Sequence, residues 1–469
     1  MKLGDNMEYK DLTILEIQDL KRQGKLSYYE LTEYYLKRIK HFNKLTNSIA
    51  EKNKHSLIEA KEKDSNYKEG LSPLYGIPVL IKDNINTLNM KTTAGSILLK
   101  DFYSKDDAFI IKQLKKQGAI ILGKTNLSEF ANFVSWDSKN GHSALKGQVI
   151  NPYGKDLDVG GSSSGSGASI ATSLAQVAVG TETSGSILSP ALQNSIVGLK
   201  PSVGSVSRTG IIPISPTQDV PGPMTRNVID ACILFNAMIG KDEEDSSTKE
   251  LEEINLKSIT KPIKGLKLGY VKSSLIEDAT KEEVKLIDSQ VETLKKLGAE
   301  IIEFHHTKPK READFNILFL EFPEAIKEYF MNEPNAPVKS LKEVMDFNNE
   351  DKEVRIPFGQ GVFDKCIEVE DKVSYEETLQ FDKELSSELE RQITEQNLDA
   401  LIFTGYYGTW LPAKAGFPSI VIPAGYIDNR PFGITFTSTK FNEETLLKIA
   451  YNLEQHSKDR IEPKLIKTA

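Results

Sequence analysis

The fold of this chain is decided by the stretch LYGIPVLIKDNI, residues 74–85. Its short apolar run with β-branched residues is typical of a buried strand, and Lys82 and Asp83 come at the end of that run. Sites in open α/β sheets form at strand ends, so Lys82 is a candidate site residue. A solvated lysine at a strand end is the alternative interpretation.

Two clusters rich in serine and glycine follow, GGSSSGSG at 160–167 and GTETSGS at 180–186. Serine and glycine bury too little apolar surface for packing alone to explain the first cluster. The second cluster follows a predicted strand at 176–179 and precedes a predicted short helix. Such a turn points several backbone N–H groups at one spot. Together with Lys82, the clusters indicate a nucleophilic acyl-transfer site.

Helix-like and strand-like segments alternate around these motifs, as in the α/β class. The first sixty residues predict an amphipathic helical layer, and a helix is predicted at about 106–117. Residues 128–152 predict long loops. Later segments predict an αβ unit at 265–304, strands in LDALIFTGY and FPSIVIPAG, and a final helix at about 442–454.

Composition narrows the class of protein. Hydrophobic residues make up 39% of the chain, and no run approaches the roughly 20 apolar residues that a membrane span needs. The net charge of −8 disfavours a general nucleic-acid binder. Cys232 and Cys366 are far apart in sequence and are expected to be packing residues in a reducing compartment. With no signal-like amino terminus, we expect a cytoplasmic protein.

Other site chemistries fit the motifs poorly. The first cluster lacks the lysine of a Walker phosphate loop and the third glycine of a dinucleotide fingerprint. The six histidines show no zinc-ligand spacing, and neither cluster presents GxSxG in its usual context. No metal or organic cofactor is implied, and a lysine remains as the candidate base.

Five motifs occur in the order KD, GGSSSGSG, GTETSGSI, GLKPSVG and PGPMTR. In this order they resemble the amidase signature family of serine hydrolases, and the resemblance extends over most of the chain. It implies the amidase signature fold, an α/β fold with a large mixed β-sheet core covered by helices on both faces. The chain most resembles the peptide amidase branch, in KTNLSEFANF, KGQVINPY and GIIPISPTQDVPGPMTR.

The same resemblance implies a single amidase domain over residues 1–469. Its motifs concentrate in a core at about 70–235, and the chain is expected to return to the sheet at about 398–456. Residues 307–375 are highly charged, and we predict that they are irregular. They could cover the site or form a peripheral insertion, and we expect the insertion.

The resemblance implies a catalytic role for three residues. Lys82 would be the base, Ser186 the nucleophile, and Ser162 the bridge that carries a proton between them. The peptide bond between Gly161 and Ser162 would be cis. A lysine can act as a base near pH 7 only if burial or its neighbours lower its pKa from about 10.4. Asp83 would raise that pKa, so we expect its carboxylate to point away from Lys82.

An oxyanion hole is also implied, formed by backbone N–H groups of Thr183, Ser184, Gly185 and Ser186. Many family members have an aspartate and an arginine that pair beside the nucleophile, where this chain has Glu182 and Leu188. The peptide amidase branch shows the same change. Its usual acidic residue is Ser184 here, which leaves the fine substrate preference open. Ser163 and Ser164, like Ser184, are expected to be turn or cap residues.

The predicted function is release of ammonia from a carboxamide, at the C-terminal amide of peptides, through a Ser-cis-Ser-Lys triad and an acyl-enzyme. Alternatives are hydrolysis of simple small, fatty or aryl amides, or a glutamine-hydrolysing amidotransferase subunit that needs partner subunits. That subunit normally has LDQ where this chain has TQDVPG at 217–222. A ligand-binding protein on the same scaffold is the non-enzyme alternative. Besides the amide substrate, no nucleic-acid or membrane partner is expected, and the oligomeric state is left open.

Three aromatic residues in the segment 405–416 are candidates for the pocket wall: Tyr406, Tyr407 and Trp410. Aromatic side chains line pockets but also fill cores, and the sequence favours neither interpretation.

Overall fold

An eleven-stranded mixed β-sheet runs through the molecule, with helices packed against it. The computed structural model describes residues 9–272, 278–306, 315–370 and 372–463. The sheet confirms the predicted α/β class. A separate two-stranded sheet pairs β4 with β5 in the loop region predicted at 128–152.

The strands are, in chain order, β1 Ile49–Lys52, β2 Pro78–Lys82, β3 Ile120–Thr125, β4 His142–Ser143, β5 Gly147–Gln148, β6 Val177–Glu182, β7 Val197–Lys200, β8 Val220–Thr225, β9 Lys267–Val271, β10 Glu300–Phe304, β11 Ala400–Thr404, β12 Ser419–Ile427 and β13 Arg430–Thr437. The α-helices are α1 Ile14–Arg22, α2 Tyr28–Thr46, α3 Ser56–Ser65, α4 Phe109–Lys116, α5 Ser164–Ala171, α6 Leu188–Gln193, α7 Val228–Met238, α8 Leu256–Ile259, α9 Lys281–Lys296, α10 Asn316–Asn332, α11 Leu341–Asn349, α12 Lys352–Arg355, α13 Gly361–Glu370, α14 Tyr375–Glu395, α15 Trp410–Lys414 and α16 Glu443–Ser457.

The strand order of the large sheet is β1-β3-β2-β6-β8-β7-β12-β13-β11-β9-β10. Strand β2 lies between β3 and β6 and is parallel to both. The strands from β6 to β11 then pair antiparallel, and β11, β9 and β10 are parallel again. The sheet is therefore mixed, as predicted.

Strands β2 and β6 position the candidate site. Every residue of both strands is buried, as expected for parallel strands covered on both faces. In their register Val79 pairs with Val177 and Ile81 with Val179. Because the strands are parallel, Lys82 at the end of β2 and the turn that follows β6 come to the same edge of the sheet.

Cys232 and Cys366 are both fully buried and unpaired. Cys232 packs in the main hydrophobic core with α7, and Cys366 packs in the separate cluster built by α10, α11 and α13. The expectation that both are packing residues is confirmed.

The prediction of an irregular segment at 307–375 is wrong for the residues that the structure describes. Helices α10 to α13 lie there, while residues 307–314 and residue 371 are outside the described ranges. In the sequence, the many exposed charges obscure the apolar faces of α10, α11 and α13, which pack into one cluster. Sequence patterns also missed β1, β7, β8 and β13 of the large sheet. The hairpin from β12 to β13 turns at Asp428 and Asn429, whose φ angles are 51° and 66°.

Candidate active site

Lys82 is the last residue of β2 and its side chain is fully buried. Its Nζ donates hydrogen bonds to Ser162 Oγ at 2.7 Å, to Thr181 Oγ1 at 2.9 Å and to the Thr181 carbonyl at 3.2 Å. Burial lowers the pKa of Lys82 to about 7, against the opposing charges of Asp219 and Glu182. The amine can therefore be neutral near pH 7, as a general base requires.

Ser162 lies just before α5, where the chain turns sharply. The peptide bond between Gly161 and Ser162 is cis. Gly160 has a φ of +70°, and a Cβ there would lie 2.6 Å from the Pro190 backbone, so the turn requires glycine at this position. This local packing brings the Ser162 hydroxyl to Lys82.

Ser186 follows β6 in the second cluster and is 9% exposed. Its carbonyl accepts a hydrogen bond from the Ser163 N–H at 3.1 Å, which holds the two clusters together. Within the described ranges, no hydrogen bond joins the Oγ atoms of Ser162 and Ser186. The structure thus joins Lys82 directly to Ser162, and it places Ser186 beside the residue that follows Ser162.

The carboxylate of Glu182 organises the turn that carries Ser186. It accepts hydrogen bonds from the backbone N–H groups of Gly185 at 2.8 Å, Ile187 at 2.7 Å and Leu188 at 3.0 Å. Backbone donors therefore satisfy this buried charge, and Leu188 is itself fully buried.

The same contact affects the candidate oxyanion donors. Gly185 directs its N–H to Glu182 rather than toward a reacting carbonyl. The N–H groups of Thr183, Ser184 and Ser186 take part in no hydrogen bond among the described residues. Those three N–H groups are the ones left to bind an oxyanion.

Sequence reasoning missed two polar residues beside the site, Thr181 and Asp219. Thr181 accepts hydrogen bonds from Lys82, and Thr183 Oγ1 donates to Asp219 Oδ1 at 2.5 Å. Asp219 Oδ2 also accepts two backbone N–H groups of the loop that precedes β8. The alternation of Thr181 and Thr183 along the strand end was a usable signal. Asp219 lies in TQDVPG, the segment compared above with LDQ, but that comparison did not indicate its contact with Thr183.

The Asp83 carboxylate points away from Lys82, as predicted. It forms an ion pair with Lys124 at 3.4 Å and accepts hydrogen bonds from the hydroxyl and the N–H of Thr93. Ser164 bonds to local backbone, as predicted, because its Oγ donates to the Gly160 carbonyl. Ser163 precedes α5, but its side chain makes no cap hydrogen bond and donates instead to the Thr181 carbonyl in the second cluster, so the predicted turn or cap role is wrong for its side chain.

A sequence model of the family described as Amidase matches residues 30–405 of this chain. The chain belongs to the amidase family. It is 36% identical to a probable amidase of Arabidopsis thaliana, over 99% of this chain and 94% of the relative. It is 33% identical to a glutamyl-tRNA(Gln) amidotransferase subunit of Thermoanaerobacter pseudethanolicus, over 98% of this chain and 99% of the relative.

Among solved structures, this amidase is similar to the native peptide amidase of Stenotrophomonas maltophilia. The two share 34% identity with a TM-score of 0.90, over 97% of this chain and 99% of that chain. The similarity confirms the amidase signature fold and supports assignment of the protein as an amide hydrolase.

Of the three candidate pocket aromatics in this amidase, Tyr406 borders the turn that carries Ser186. A Cβ placed on Gly185 would lie 3.9 Å from Tyr406 Cδ2. Tyr407 instead donates a hydrogen bond to Glu283 at 3.4 Å, and Trp410 packs against the hydrophobic cluster of α14 and β11. Tyr406 is therefore the one of the three that these contacts place beside the turn of Ser186.

A cavity of about 650 Å³ lies beside the site. Its floor includes Asn84, Thr181, Thr183 and Asp219, but Lys82, Ser162 and Ser186 do not line it. Helix α10 forms one wall. The described part of the 307–375 region thus contributes to the lining of a cavity next to the site.

No group of three His, Cys, Asp or Glu residues that could hold a metal ion occurs in the described part of this amidase. Over the same residues, the helices are too short or too polar to cross a membrane.

Proposed function

We propose that this amidase hydrolyses the C-terminal carboxamide of peptides and releases ammonia. The observation that carries the proposal is the 2.7 Å hydrogen bond between Lys82 Nζ and Ser162 Oγ, formed by a lysine that is fully buried. Lys200 at the end of β7 is equally buried, but among the described residues its amine donates only to the backbone carbonyls of Pro201 and Phe417. Among the described residues, the amine of Lys82 instead bonds to a carbonyl and two hydroxyl groups, which suits a neutral base that passes protons through a serine.

In the acylation step, Ser186 Oγ attacks the carbonyl carbon of the amide. Its proton moves to Ser162, whose own proton moves to Lys82. The tetrahedral oxyanion accepts hydrogen bonds from the backbone N–H groups of Thr183, Ser184 and Ser186. Each such donor typically contributes about 2.7–4 kcal/mol.

Collapse of this intermediate breaks the carbon–nitrogen bond. Lys82 returns a proton through Ser162 to the leaving nitrogen, so the group departs as ammonia and an ester to Ser186 remains. Water then attacks the ester along the same proton path. The products are a carboxylic acid, ammonia and the regenerated Ser186.

The choice of a peptide amide rests on two supports. The chain covers nearly the whole of the Stenotrophomonas peptide amidase at 34% identity. In addition, Glu182 without a partner arginine is the pattern of that branch. Here three backbone N–H groups donate hydrogen bonds to the Glu182 carboxylate instead.

Hydrolysis of glutamine, as in an amidotransferase, is the second candidate. The 33% identity with the amidotransferase subunit of Thermoanaerobacter favours it. The segment 217–222, TQDVPG, departs from the LDQ of such subunits. Because Asp219 of this segment holds Thr183 in the nucleophile turn, the departure lies at the site itself.

The proposal is tested by ammonia release from amidated dipeptides, simple aliphatic and aromatic amides, and glutamine. Ser186→Ala serves as the blank. Ser184→Ala is the matched control, because it removes a hydroxyl from the same turn and retains the backbone N–H. Release from the dipeptides alone supports the proposal, whereas release from glutamine alone supports the second candidate. A folded protein that neither releases ammonia nor is labelled by a fluorophosphonate at Ser186 would contradict both.

A further inference from the structure

The cavity beside the site carries an excess of negative charge. Seven carboxylate side chains and three cationic side chains line it. Two of the cations are neutralised within the lining, since Lys112 pairs with Asp106 at 2.7 Å and Arg208 pairs with Asp245 at 2.6 Å. Asp107 is paired with a lysine outside the lining.

Four lining carboxylates form no ion pair among the described residues: Asp219, Glu244, Glu328 and Glu333. The remaining cation in the lining is Lys105. A cleft with low-dielectric walls and an excess of one charge concentrates ions of the opposite charge. The cavity therefore favours a cationic occupant.

Polar groups in the lining of the cavity indicate which kind of cation it would bind. Asn84 is 2% exposed, and its Oδ1 has no hydrogen-bond partner among the described residues. Its Nδ2 donates to Thr181 Oγ1 at 3.1 Å, the same oxygen that accepts the Lys82 amine. A buried carbonyl without a partner is costly, and a hydrogen-bond donor in the cavity would remove that cost.

Asp219 shares this floor and lies partly open to the cavity. A carboxylate and an amide oxygen in the lining of one cavity match a cation that also donates hydrogen bonds. A primary ammonium group has both properties, whereas a quaternary ammonium carries the charge but has no N–H to donate.

We infer that this cavity binds a primary ammonium group, supplied either by free ammonium ion or by the amino group of a substrate. Only the choice of these two sources rests on the proposed function, because ammonia is the product of the proposed reaction. The volume of about 650 Å³ is large enough for part of a peptide as well as for an ion.

Binding is tested without turnover, in the Ser186→Ala protein. ¹³C-labelled methylammonium is titrated and its NMR line width is followed, with tetramethylammonium as the probe that has no N–H. We expect methylammonium to bind and tetramethylammonium to bind at least tenfold more weakly. Equal binding of the two, or no binding of methylammonium, would overturn the inference even if the wild-type protein hydrolyses amides.

The acidic walls are tested in the same background with Glu244→Gln/Glu328→Gln, since both side chains are exposed and form no ion pair among the described residues. Loss of two charges should raise the Kd of methylammonium about three- to tenfold. Glu324→Gln is the control, because Glu324 is an exposed acid on α10 outside the cavity lining. A Kd that is unchanged in the double variant, or equally raised in the control, would contradict the assignment.

The two sources are separated with the wild-type protein and a pair of dipeptide amides, one with a free amino group and one N-acetylated. If the substrate supplies the group, the double variant raises KM for the free amine alone. If ammonium ion supplies it, ammonium chloride inhibits both reactions above a sodium chloride control, and the double variant weakens that inhibition. Neither effect in an active enzyme would overturn the inference and leave the proposed function intact.

Discussion

Lys82 and Lys124 are two lysines on neighbouring strands, and their surroundings differ in one respect that matters. Lys82 ends β2, and Lys124 is the next-to-last residue of β3. Both side chains are fully buried, and each Nζ donates three hydrogen bonds. Lys124 also has a carboxylate partner, Asp83 at 3.4 Å, and Lys82 has none among the described residues.

This difference fits the proposed role of Lys82 as a base and a structural role for Lys124. Burial lowers the pKa of both lysines, but the charge of Asp83 opposes the shift at Lys124. The acceptors of Lys124 are the carbonyls of Ile85 and Lys91 and the hydroxyl of Thr92, so it ties the loop after β2 to β3. Lys82 contacts the Ser162 hydroxyl instead. Burial alone is therefore not evidence of a catalytic lysine. The partner of the amine matters, since a carboxylate favours the charged form and a hydroxyl can exchange a proton with the neutral form.

The largest expected effect is on activity, from Lys82→Met. Methionine fills a similar volume without the amine, so ammonia release should fall about 10⁴-fold, near the upper end for loss of a general base. Unfolding in urea should show equal or greater stability, because no carboxylate loses a partner. Near-normal kcat at pH 7 would exclude the proposed proton path.

The matched change on the other strand, Lys124→Met, should act on stability. It leaves the buried Asp83 without its cation, which should cost about 3–5 kcal/mol of unfolding free energy. Activity per folded molecule should fall much less than in Lys82→Met. Urea denaturation and active-site titration with a fluorophosphonate measure the two quantities. A stable but inactive Lys124→Met would show that both lysines serve the chemistry.

A smaller loss of activity is expected from Ser162→Ala. It removes the hydroxyl that Lys82 contacts at 2.7 Å and keeps the base itself. A water molecule in the space left by the hydroxyl can carry the proton less efficiently, so kcat should fall about 10²-fold. Ser164→Ala, in the same cluster, is the control and should change kcat less than threefold. Equal losses in both variants would point to a packing defect.

The smallest effect on activity is the dependence of kcat/KM on pH. If Lys82 must be neutral, kcat/KM should rise with pH and level off above about 7, being about tenfold lower at pH 6 than at the plateau. A flat profile from pH 6 to 8 would indicate that Lys82 does not titrate as the base.

The same titration affects stability, and the sign is opposite to that of a salt-bridged lysine. The pKa of Lys82 falls from 10.5 to about 7 on folding, so the unfolded chain binds more protons between these values. The stability advantage of Lys82→Met over wild type should therefore be full below pH 7 and shrink as the pH rises toward 10.5. Between pH 7 and 9 the change should be on the order of 2–3 kcal/mol, measured by urea denaturation.

Residue types and their order were sufficient for the main features of the molecule. The buried run at 74–85 predicted β2, and the two clusters with Lys82 predicted where the candidate site lies. Resemblance to the amidase signature family then assigned roles to Lys82, Ser162 and Ser186. The prediction of β2 is confirmed, because strand preferences are local. The roles of Lys82, Ser162 and Ser186 stay predictions.

Tertiary structure decided what surrounds those residues. Only the pairing of β2 with β6 brings Lys82 to Thr181, and only the folded loop before β8 brings Asp219 to Thr183. The helices at 316–370 and the cavity wall they supply were hidden behind exposed charges. Desolvation and hydrogen bonding depend on neighbours far apart in sequence. The sequence by itself therefore determined which groups could react, and the tertiary structure decided that Lys82, of the fully buried lysines Lys82, Lys124 and Lys200, is the one that contacts the Ser162 hydroxyl.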